Sequence, residues 1–179
     1  MMLAPRLGGD AVLRLLDETH VDELLAHVAE NRTHLDQWLE LPIHSREDAA
    51  AFIRHNLDAL ATGTGMSLGL WVGGHLAGVV GLGRVDHQSR SASIGYWIGA
   101  AYGGRGLVTE AVRALIDHAF DTFDLHRVEI SCPAAHRRSR AIPERLGFRE
   151  EGTRRQAIWL HGDVLDEVLY GLLAPEWGR

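Results

Sequence analysis

The chain of 179 residues is long enough for one domain with a substantial core, and its 46% hydrophobic and 23% charged content is typical of a soluble globular protein. A formal net charge of −6 disfavours non-specific nucleic-acid binding and suits a cationic acceptor such as an amine. No apolar run approaches the ~20 residues of a membrane span, residues 1–10 lack the apolar core of a signal peptide, and the single Cys132 excludes an intramolecular disulfide and a cysteine-based zinc site. We therefore expect one cytoplasmic domain over residues 1–179, without a nucleic-acid or membrane partner.

Strand and helix signals follow one another through the first half of the chain. The predicted elements are a strand at 12–16, helices at 19–29, 31–39 and 45–61, and strands at 67–72 and 75–83. Pro42 disfavours helix in the residue before it and so ends the second helical stretch. Ser45 followed by Asp48 predicts a capping box for the third helix, and Gly73-Gly74 is the two-residue turn that a tight hairpin prefers.

The second half of the chain alternates strands with helices and ends in a hairpin. Its predicted elements are a strand at 91–98, a helix at 108–120, a strand at 127–132, a short helix at 141–146, and strands at 153–160 and 163–172. Because Pro143 lacks the N–H that a helix capped by Ser139 would need, the short helix is expected to begin near Ile142 and to end at Gly147. The pattern predicts a mixed α/β (α+β) sheet and not a strict βαβ alternation.

A glycine-rich segment joins the strand at 91–98 to the helix that follows it. Glycines let the backbone approach a ligand closely, because no Cβ stands in the way. The first turn of a helix presents N–H groups without intrahelical partners, at the positive end of the macrodipole. Together these features favour binding of phosphate or pyrophosphate. The alternative is an ordinary turn between a strand and a helix.

Known nucleotide-binding loops do not match this segment. A Walker loop would require Lys and Ser/Thr at Arg105 and Gly106, and a dinucleotide fingerprint would require a third glycine at Thr109. The run 94–111, Ile-Gly-Tyr-Trp-Ile through Thr-Glu-Ala, instead resembles the acyl-CoA pyrophosphate loop of the GNAT N-acetyltransferase superfamily. It is most similar to the branch that includes the ribosomal-protein N-terminal (serine/alanine) acetyltransferases.

The resemblance extends over nearly the whole chain. Residues 31–39 resemble the N-x-x-H-L-x-x-W-L segment of that branch, and residues 139–148 resemble the helix that packs beside the CoA arm. It implies the GNAT fold, a mixed and mostly antiparallel central sheet splayed between strands 4 and 5 and flanked by helices. It also implies acetyl-CoA as the acyl-donor cosubstrate, with no metal, and a homodimer. Trp177, expected to be exposed near the C-terminus, is compatible with such an interface.

The resemblance also implies which residues hold the acyl donor. Main-chain N–H groups of Tyr96, Trp97 and Ile98 would hold the thioester carbonyl as an oxyanion hole. The pyrophosphate would lie on the segment Tyr102, Gly103, Gly104, Arg105, Gly106 and Leu107, with the hydroxyl of Thr109 as a further donor. His136 stands where the family often has an asparagine beside the CoA arm, and its imidazole can still make a hydrogen bond. Ser139 would protonate the departing thiolate, unless it is a helix cap.

The acceptor side lacks the carboxylates that serve as the general base in related enzymes. Ser93 and Ile158 occupy their positions, so Glu40 is the remaining candidate, followed by His87 and His75. Trp38, Leu39 and His87 are expected to contact the acceptor. At pH 7 an α-amine with a pKa of 7.7–8.0 needs about 1 kcal/mol to lose its proton, whereas a lysine near 10.4 needs about 4.6 kcal/mol. The missing carboxylate therefore favours an α-amine or another amine of low pKa.

The leading hypothesis is thus transfer of an acyl group from acetyl-CoA to a primary amine, first of all a protein or peptide N-terminus, by direct attack on the thioester. A small-molecule amine such as an antibiotic or a polyamine, or another acyl-CoA donor, is the alternative within the same chemistry. A non-catalytic CoA-binding sensor domain is an alternative of another class, favoured by the missing carboxylates at Ser93 and Ile158. A nucleotide-binding P-loop protein is disfavoured by the lack of the signature lysine.

Overall fold

The computed structural model describes residues 7–178 of the chain. Its strands are β1 (Ala11–Leu15), β2 (Met66–Val72), β3 (His75–Asp86), β4 (Ser91–Ile98), β5 (Arg127–Pro133), β6 (Arg149–Leu160) and β7 (Asp163–Leu173). They form one sheet in the order β1-β2-β3-β4-β5-β7-β6. Within these residues only β4 and β5 pair in parallel, and the other neighbours are antiparallel. The predicted mixed, mostly antiparallel sheet is confirmed.

Helices cover both faces of the sheet. They are α1 (Val21–Glu30), α2 (Arg32–Leu35), α3 (Arg46–Thr62), α4 (Leu107–Asp121) and α5 (Arg137–Arg145). Side chains alternate between the two faces of a strand, so Ile94 of β4 joins the core under α4 and α5, whereas Trp97 joins a second core under α1 and α3. Among the described residues, no helix is long and apolar enough to cross a membrane.

The predicted local signals at the start of α3 and between β2 and β3 are confirmed. The Ser45 hydroxyl accepts the N–H of Asp48 at 3.1 Å, and the Asp48 carboxylate accepts the N–H of Ser45 at 2.9 Å, which completes a capping box. Gly73 and Gly74 have φ of +57° and +85°, the left-handed values that a two-residue hairpin turn requires. Both features depend on residues that are close in sequence.

The helix predicted over 31–39 is wrong, because α2 contains only Arg32–Leu35. The Arg32 guanidinium donates to the carbonyl of Leu41 at 2.7 Å and also to the carbonyl of Ile43. Leu41 and Ile43 are buried on either side of the exposed Pro42. The chain therefore turns back after α2 so that these two apolar side chains reach the core, and Arg32 satisfies the carbonyls of the returning segment.

The expected start of α5 near Ile142 is also wrong, because the helix already begins at Arg137 and contains Pro143. A proline inside a helix removes one N–H donor and leaves the carbonyl four residues earlier without its partner. That carbonyl belongs to Ser139, and the phenol of Tyr96 donates to it at 3.0 Å. A tertiary contact thus replaces the missing helical hydrogen bond. The predicted end of the helix is confirmed, since Gly147 follows with φ of +82°.

Strands β4 and β5 separate soon after they begin. Their parallel pairing ends at Ser93 and Glu129, and no later described residue of β4 pairs with β5. On its other edge β4 remains paired with β3 as far as Ile98. The sheet is therefore splayed between its fourth and fifth strands, as the resemblance implies, and the last part of β4 presents an open backbone edge.

Trp177 is partly buried, against the expectation of an exposed aromatic residue. Its indole N–H donates to the carboxylate of Asp117 on α4 at 2.7 Å, and the guanidinium carbon of Arg113 lies 5.5 Å from the ring centroid. The indole therefore packs within its own chain, and it no longer supports a dimer interface.

Candidate active site

The open edge of β4 lines the split between the two strands. In an antiparallel ladder, residues alternate between those that bond to the neighbouring strand and those directed away from it. The N–H of Gly99 donates to the carbonyl of Ala77 at 2.8 Å, in register with the β3–β4 pairing. The main-chain groups of Trp97 therefore face β3, whereas those of Tyr96 and Ile98 face the split. Trp97 contributes a buried side chain to the core beneath.

The glycine-rich loop lies at the end of this edge, immediately before α4. Gly104 and Gly106 have φ of +77° and +78°, where residues with a Cβ are strained. Gly106 is the N-cap of α4, so the first N–H groups of the helix, at Leu107 through Thr109, have no intrahelical partners. Gly103, Gly104, Arg105 and Gly106 are exposed. The loop thus presents accessible main-chain donors at the positive end of a helix dipole, an arrangement that suits an anionic group.

Side chains on both sides complete the loop. The guanidinium carbon of Arg105 lies 6.0 Å from the centroid of the Tyr102 ring. The side chain of Leu107 is buried in the core under α4, which holds the start of that helix on the sheet. Thr109 is half-buried in the first turn. The predicted loop residues therefore share one region.

The C-terminal end of helix α1 contacts the beginning of the loop, and this contact was not expected from the sequence. The side-chain oxygen of Asn31 accepts the N–H of Ala100 at 2.9 Å, and its amide nitrogen donates to the carbonyl of His27 at 2.9 Å. The His27 ring stacks on Trp97 with 5.7 Å between centroids, and burial lowers its pKa. A Cβ on Gly99 would lie 2.7 Å from the Cε1 atom of His27. Glycine at this position therefore allows the helix and the loop to meet.

Ser139 and Tyr96 form a pair of hydroxyl groups at the split. The Ser139 hydroxyl donates to the phenolic oxygen of Tyr96 at 3.2 Å, while the phenol donates to the Ser139 carbonyl at 3.0 Å. Burial raises the pKa of Tyr96, so the phenol stays protonated. The N-cap of α5 is His136, which makes no side-chain capping bond. The alternative that Ser139 caps this helix is therefore wrong.

His136 and Trp38 meet although they are far apart in sequence. Their ring centroids lie 4.1 Å apart in an edge-on arrangement. The Nδ1 atom of His136 is buried and has no hydrogen-bond partner among the described residues. Burial and, to a lesser extent, the charges of His34 and Arg138 lower the pKa of His136 to about 4, so its ring is neutral at pH 7. Trp38 of the expected acceptor side thus contacts the residue expected beside the CoA arm.

Glu40 lies against the turn between β6 and β7. Its carboxylate accepts the N–H of His161 at 3.2 Å and lies 3.5 Å from the Nδ1 atom of the same residue. The Nε2 atom of His161 lies 2.8 Å from the carbonyl of Asp36. The segment after α2 and the β6–β7 turn therefore form one wall.

The other two expected acceptor residues lie elsewhere. Leu39 packs against the core under α1 and α3. His87 is exposed in the turn between β3 and β4, where its Nε2 atom lies 2.8 Å from the carbonyl of Gly63. This turn is at the end of β4 opposite to the glycine-rich loop. The structure therefore does not bring His87 together with Trp38.

A cavity of about 240 Å³ opens where β4 and β5 separate. Val128 and Ile130 of β5 point into the core under α4 and α5, so Glu129 and Ser131 point to the other face. The polar side chains that line the cavity are Arg84, Ser93, Arg127, Glu129, Ser131 and Glu151. Among these residues only Ser93 was expected at the site, as a position that lacks a carboxylate.

Arg127 organises the carboxylates of this cavity. Its Nε atom donates to Glu129 Oε1 at 2.8 Å, and its two terminal nitrogens donate to the two carboxylate oxygens of Glu151. The guanidinium holds the pKa of Glu151 below its usual range, and the same pairing raises the pKa of Arg127. A Cβ on Gly171 would lie 2.8 Å from Arg127 Nη1. Glycine in β7 therefore leaves the space that this ion pair fills.

One sequence signal could have identified these residues. Arg127, Glu129 and Ser131 occupy every second position of the predicted strand, which places them on one polar face. Which residue of β4 lies beside Glu129 depends on the order and register of the strands, and the chain does not show which strands are neighbours.

Comparison with known proteins is consistent with this arrangement. Residues 10–149 match the family model described as an acetyltransferase (GNAT) domain. Over 179 residues the chain is 34% identical to the putative ribosomal N-acetyltransferase YdaF of Bacillus subtilis, covering 98% of both chains. Over 158 residues it is 30% identical to the ribosomal-protein-serine acetyltransferase of Escherichia coli, covering 87% of this chain and 88% of that protein.

Solved structures agree with these relatives. A structure of RimL, a ribosomal alpha-N-protein acetyltransferase in complex with coenzyme A, superposes with a TM-score of 0.91 at 28% identity, covering 96% of this chain and 98% of that one. The strand order, the parallel pair that splays apart and the matched family model together support one assignment. The chain belongs to the GNAT acetyltransferase family, as an N-acetyltransferase similar to those that modify ribosomal-protein N-termini.

Proposed function

We propose that this protein transfers the acetyl group of acetyl-CoA to the α-amine of a peptide or protein N-terminus, by direct attack of the amine on the thioester. The observation that carries the proposal is the split between β4 and β5. It has open main-chain donors on one edge, the Ser139 hydroxyl beside it and a polar cavity at its base. Donor and acceptor would meet there.

The residues around the split suit an acyl-CoA. The loop before α4 offers exposed N–H groups to a pyrophosphate, and a side chain at Gly104 would be strained at φ of +77°. The unpartnered Nδ1 atom of His136 is a buried acceptor for an amide N–H of the pantetheine arm. The N–H groups of Tyr96 and Ile98 face the position of a thioester carbonyl, where they would stabilise a developing negative charge.

The chemistry needs two proton movements. The ammonium form of the acceptor first loses one proton, because only the neutral amine has a lone pair for attack. The nitrogen then forms a bond to the carbonyl carbon and the carbon–sulfur bond breaks. The attacking nitrogen loses a second proton, and the sulfur gains one. We propose that the Ser139 hydroxyl gives its proton to the sulfur and takes the proton of the nitrogen in exchange. Tyr96 holds the Ser139 hydroxyl in place.

We propose that the acceptor binds against the wall formed by the segment after α2 and the β6–β7 turn. Relatives named for acetylation of ribosomal-protein serine or alanine make peptide N-termini the first acceptors to test. A small-molecule amine is the second candidate, since a cavity of about 240 Å³ accommodates only a small group. Glu40, which pairs with His161, is one candidate for the base. A homodimer and a cytoplasmic location stay predictions.

Release of free thiol from acetyl-CoA by the purified protein tests the proposal. The acceptors are pentapeptide amides that begin with Ser or Ala, the same peptides with an acetylated α-amine, free lysine and a polyamine. Thiol release that requires the free α-amine is expected, with slower turnover on lysine and the polyamine. Acetyl-CoA binding without amine-dependent release would instead favour a CoA-binding sensor.

A further inference from the structure

The carboxylate of Glu129 lies beside Ser93, the position of β4 where a carboxylate was expected from the resemblance and is missing. Ser93 and Glu129 are partners in the last pair that joins β4 to β5, directly before the two strands separate. Both side chains line the cavity at the base of the split. A carboxylate missing from β4 is therefore present on the adjacent strand, close to where the acceptor would meet the thioester.

Arg127 fixes the direction of the Glu129 carboxylate and leaves its Oε2 atom free to accept a hydrogen bond. Its Nε atom occupies Glu129 Oε1, and no hydrogen bond to Glu129 Oε2 is found among the described residues. Because Glu151 holds the two terminal nitrogens of Arg127, the guanidinium cannot swing to cover the second oxygen. The Glu129 side chain is 46% exposed, so a ligand in the cavity can reach it.

The charged and titratable groups around Glu129 come from several strands. Arg84 faces the cavity from β3, Arg127 from β5 itself and Glu151 from β6. Arg127 is the one that touches Glu129, through an ion pair at Glu129 Oε1. Arg127 is also paired with Glu151, and Arg84 is a second positive charge, so the four charged residues of the cavity balance. Within this balanced group, Glu129 Oε2 is the carboxylate oxygen of Glu129 left open to an ammonium group.

We propose that Glu129 is a catalytic residue that binds the protonated amine of the acceptor and accepts its first proton, directly or through one water molecule. The inference rests on the proposed function, because it assigns a role within that reaction. The free Oε2 atom accepts a hydrogen bond from the ammonium group. The proton moves to this carboxylate and stays there while the neutral amine attacks the thioester with its lone pair. It passes from the carboxyl group to solvent after the attack. Ser139 supplies the proton for sulfur, so each proton has a separate route.

The role predicts a characteristic dependence of kcat/KM on pH. A protein that binds the ammonium form and removes its proton has kcat/KM that is level below the amine pKa of 7.7–8.0. A variant without the base must capture the neutral amine from solution. Its kcat/KM then rises about tenfold per pH unit up to that pKa, since the neutral fraction rises in this way.

The test compares Glu129→Gln with the wild type, using the pentapeptide amides that begin with Ser or Ala. Glutamine keeps an oxygen for Arg127 but has no negative charge. We expect kcat/KM for the peptide to fall about 100-fold at pH 7, with an unchanged KM for acetyl-CoA and a profile that rises with pH. Glu129→Asp should recover part of the activity and the level profile. Glu47→Gln, an exposed change in the first turn of α3, is the matched control and should leave both unchanged.

Glu40→Gln is the competing variant. If it produces the rising profile and Glu129→Gln keeps the wild-type shape with kcat/KM within twofold, the inference is overturned and Glu40 is the base. A loss in Glu129→Gln that keeps the level profile would show a merely structural role and also overturn it.

A binding measurement separates this inference from the proposed function. Calorimetry compares the free and the N-acetylated pentapeptide on protein saturated with CoA, which needs no turnover. The wild type is expected to prefer the free amine, and Glu129→Gln to lose that preference. A wild type that binds the free amine in this way but never releases thiol would contradict the proposed function alone. A wild type without the preference, or a variant that keeps it, would contradict the assignment of Glu129.

Discussion

Ser139 and Tyr96 depend on each other through a proline. Pro143 leaves the Ser139 carbonyl without its helical donor, so the Tyr96 phenol donates there and presents its oxygen to the Ser139 hydroxyl. Pro143, which removes one hydrogen bond from α5, thus fixes the direction of the Ser139 hydroxyl at the split. The pair is half-buried. An interaction of this kind is specific, because either partner alone would leave a polar group unsatisfied.

Replacement of Ser139 by alanine tests its role as proton donor. We expect Ser139→Ala to lower kcat about 100-fold, the scale of general acid catalysis, with little change in the KM of acetyl-CoA. Steady-state kinetics with acetyl-CoA and a Ser-initiated peptide measure both, and urea unfolding checks that the fold is intact. If the free energy of unfolding falls by as much as the activation free energy of kcat rises, the loss is one of stability and the role is refuted.

Replacement of Tyr96 by phenylalanine tests the positioning of that hydroxyl. Tyr96→Phe leaves the Ser139 carbonyl without a donor, so the free energy of unfolding should fall by about 1–3 kcal/mol. The freed Ser139 hydroxyl should lower kcat by less than Ser139→Ala does. If the double variant loses as much kcat as the product of the two single losses, the two hydroxyls act independently and this account is wrong.

At the scale of elements, the loop before α4 is positioned from two sides. The helix dipole and the left-handed glycines act within the loop itself, whereas Asn31 and His27 hold its first turn from α1. Helix α1 also leads directly into the segment that carries Trp38 and Glu40. The loop and the wall that we propose for the donor and the acceptor are therefore attached to the same helix.

A pair of glycine variants separates conformation from ligand binding. Gly104 in the loop and Gly74 in the β2–β3 turn have φ of +77° and +85°, and a Cβ on either would meet no described atom within 4 Å. Gly104→Ala and Gly74→Ala should both lose about 1 kcal/mol of stability, the cost of a left-handed residue with a side chain. Only Gly104→Ala should weaken acetyl-CoA binding in a direct titration. Equal binding by the two variants would remove the loop assignment.

At the scale of the molecule, the two faces of the sheet differ between its halves. Helices α1 and α3 cover one face of β2 to β4, whereas the same face of β5 and β7 carries the polar cavity at the split. Three histidines, His27, His118 and His136, are held in surroundings that lower their pKa, mainly through burial. All three are neutral in the folded protein at pH 7.

These histidines predict a loss of stability in mild acid. Because each pKa is lower in the folded protein than in the unfolded chain, the unfolded state takes up protons first as the pH falls below 6.5. The contribution of the three neutral histidines to the free energy of unfolding is therefore present above that pH and is lost below it. Between pH 6.5 and 5.5 it should fall by about 1–2 kcal/mol in total. Urea unfolding at both values measures it, and His118→Asn should remove part of the loss.

The sequence by itself determined the features that neighbouring residues control. The capping box at Ser45, the glycine turn between β2 and β3 and the left-handed glycines before α4 all depend on residues close in sequence, so local patterns predicted them. The resemblance to the GNAT family, carried by such motifs, correctly predicted the splayed sheet. The same local reasoning failed at α5, because the phenol that compensates for Pro143 comes from a distant strand.

Only the tertiary structure decided which side chains share the site. Strand order and register brought Glu129 beside Ser93, and the return of the β6–β7 hairpin brought His161 to Glu40, 121 residues away. The alternation of the buried Val128 and Ile130 with polar residues fixes the face that Glu129 takes, but the residue that lies beside it depends on the order of the strands. The glycine-rich loop could therefore be predicted from the chain, whereas the carboxylate that we propose for the acceptor site emerged only when the sheet was assembled.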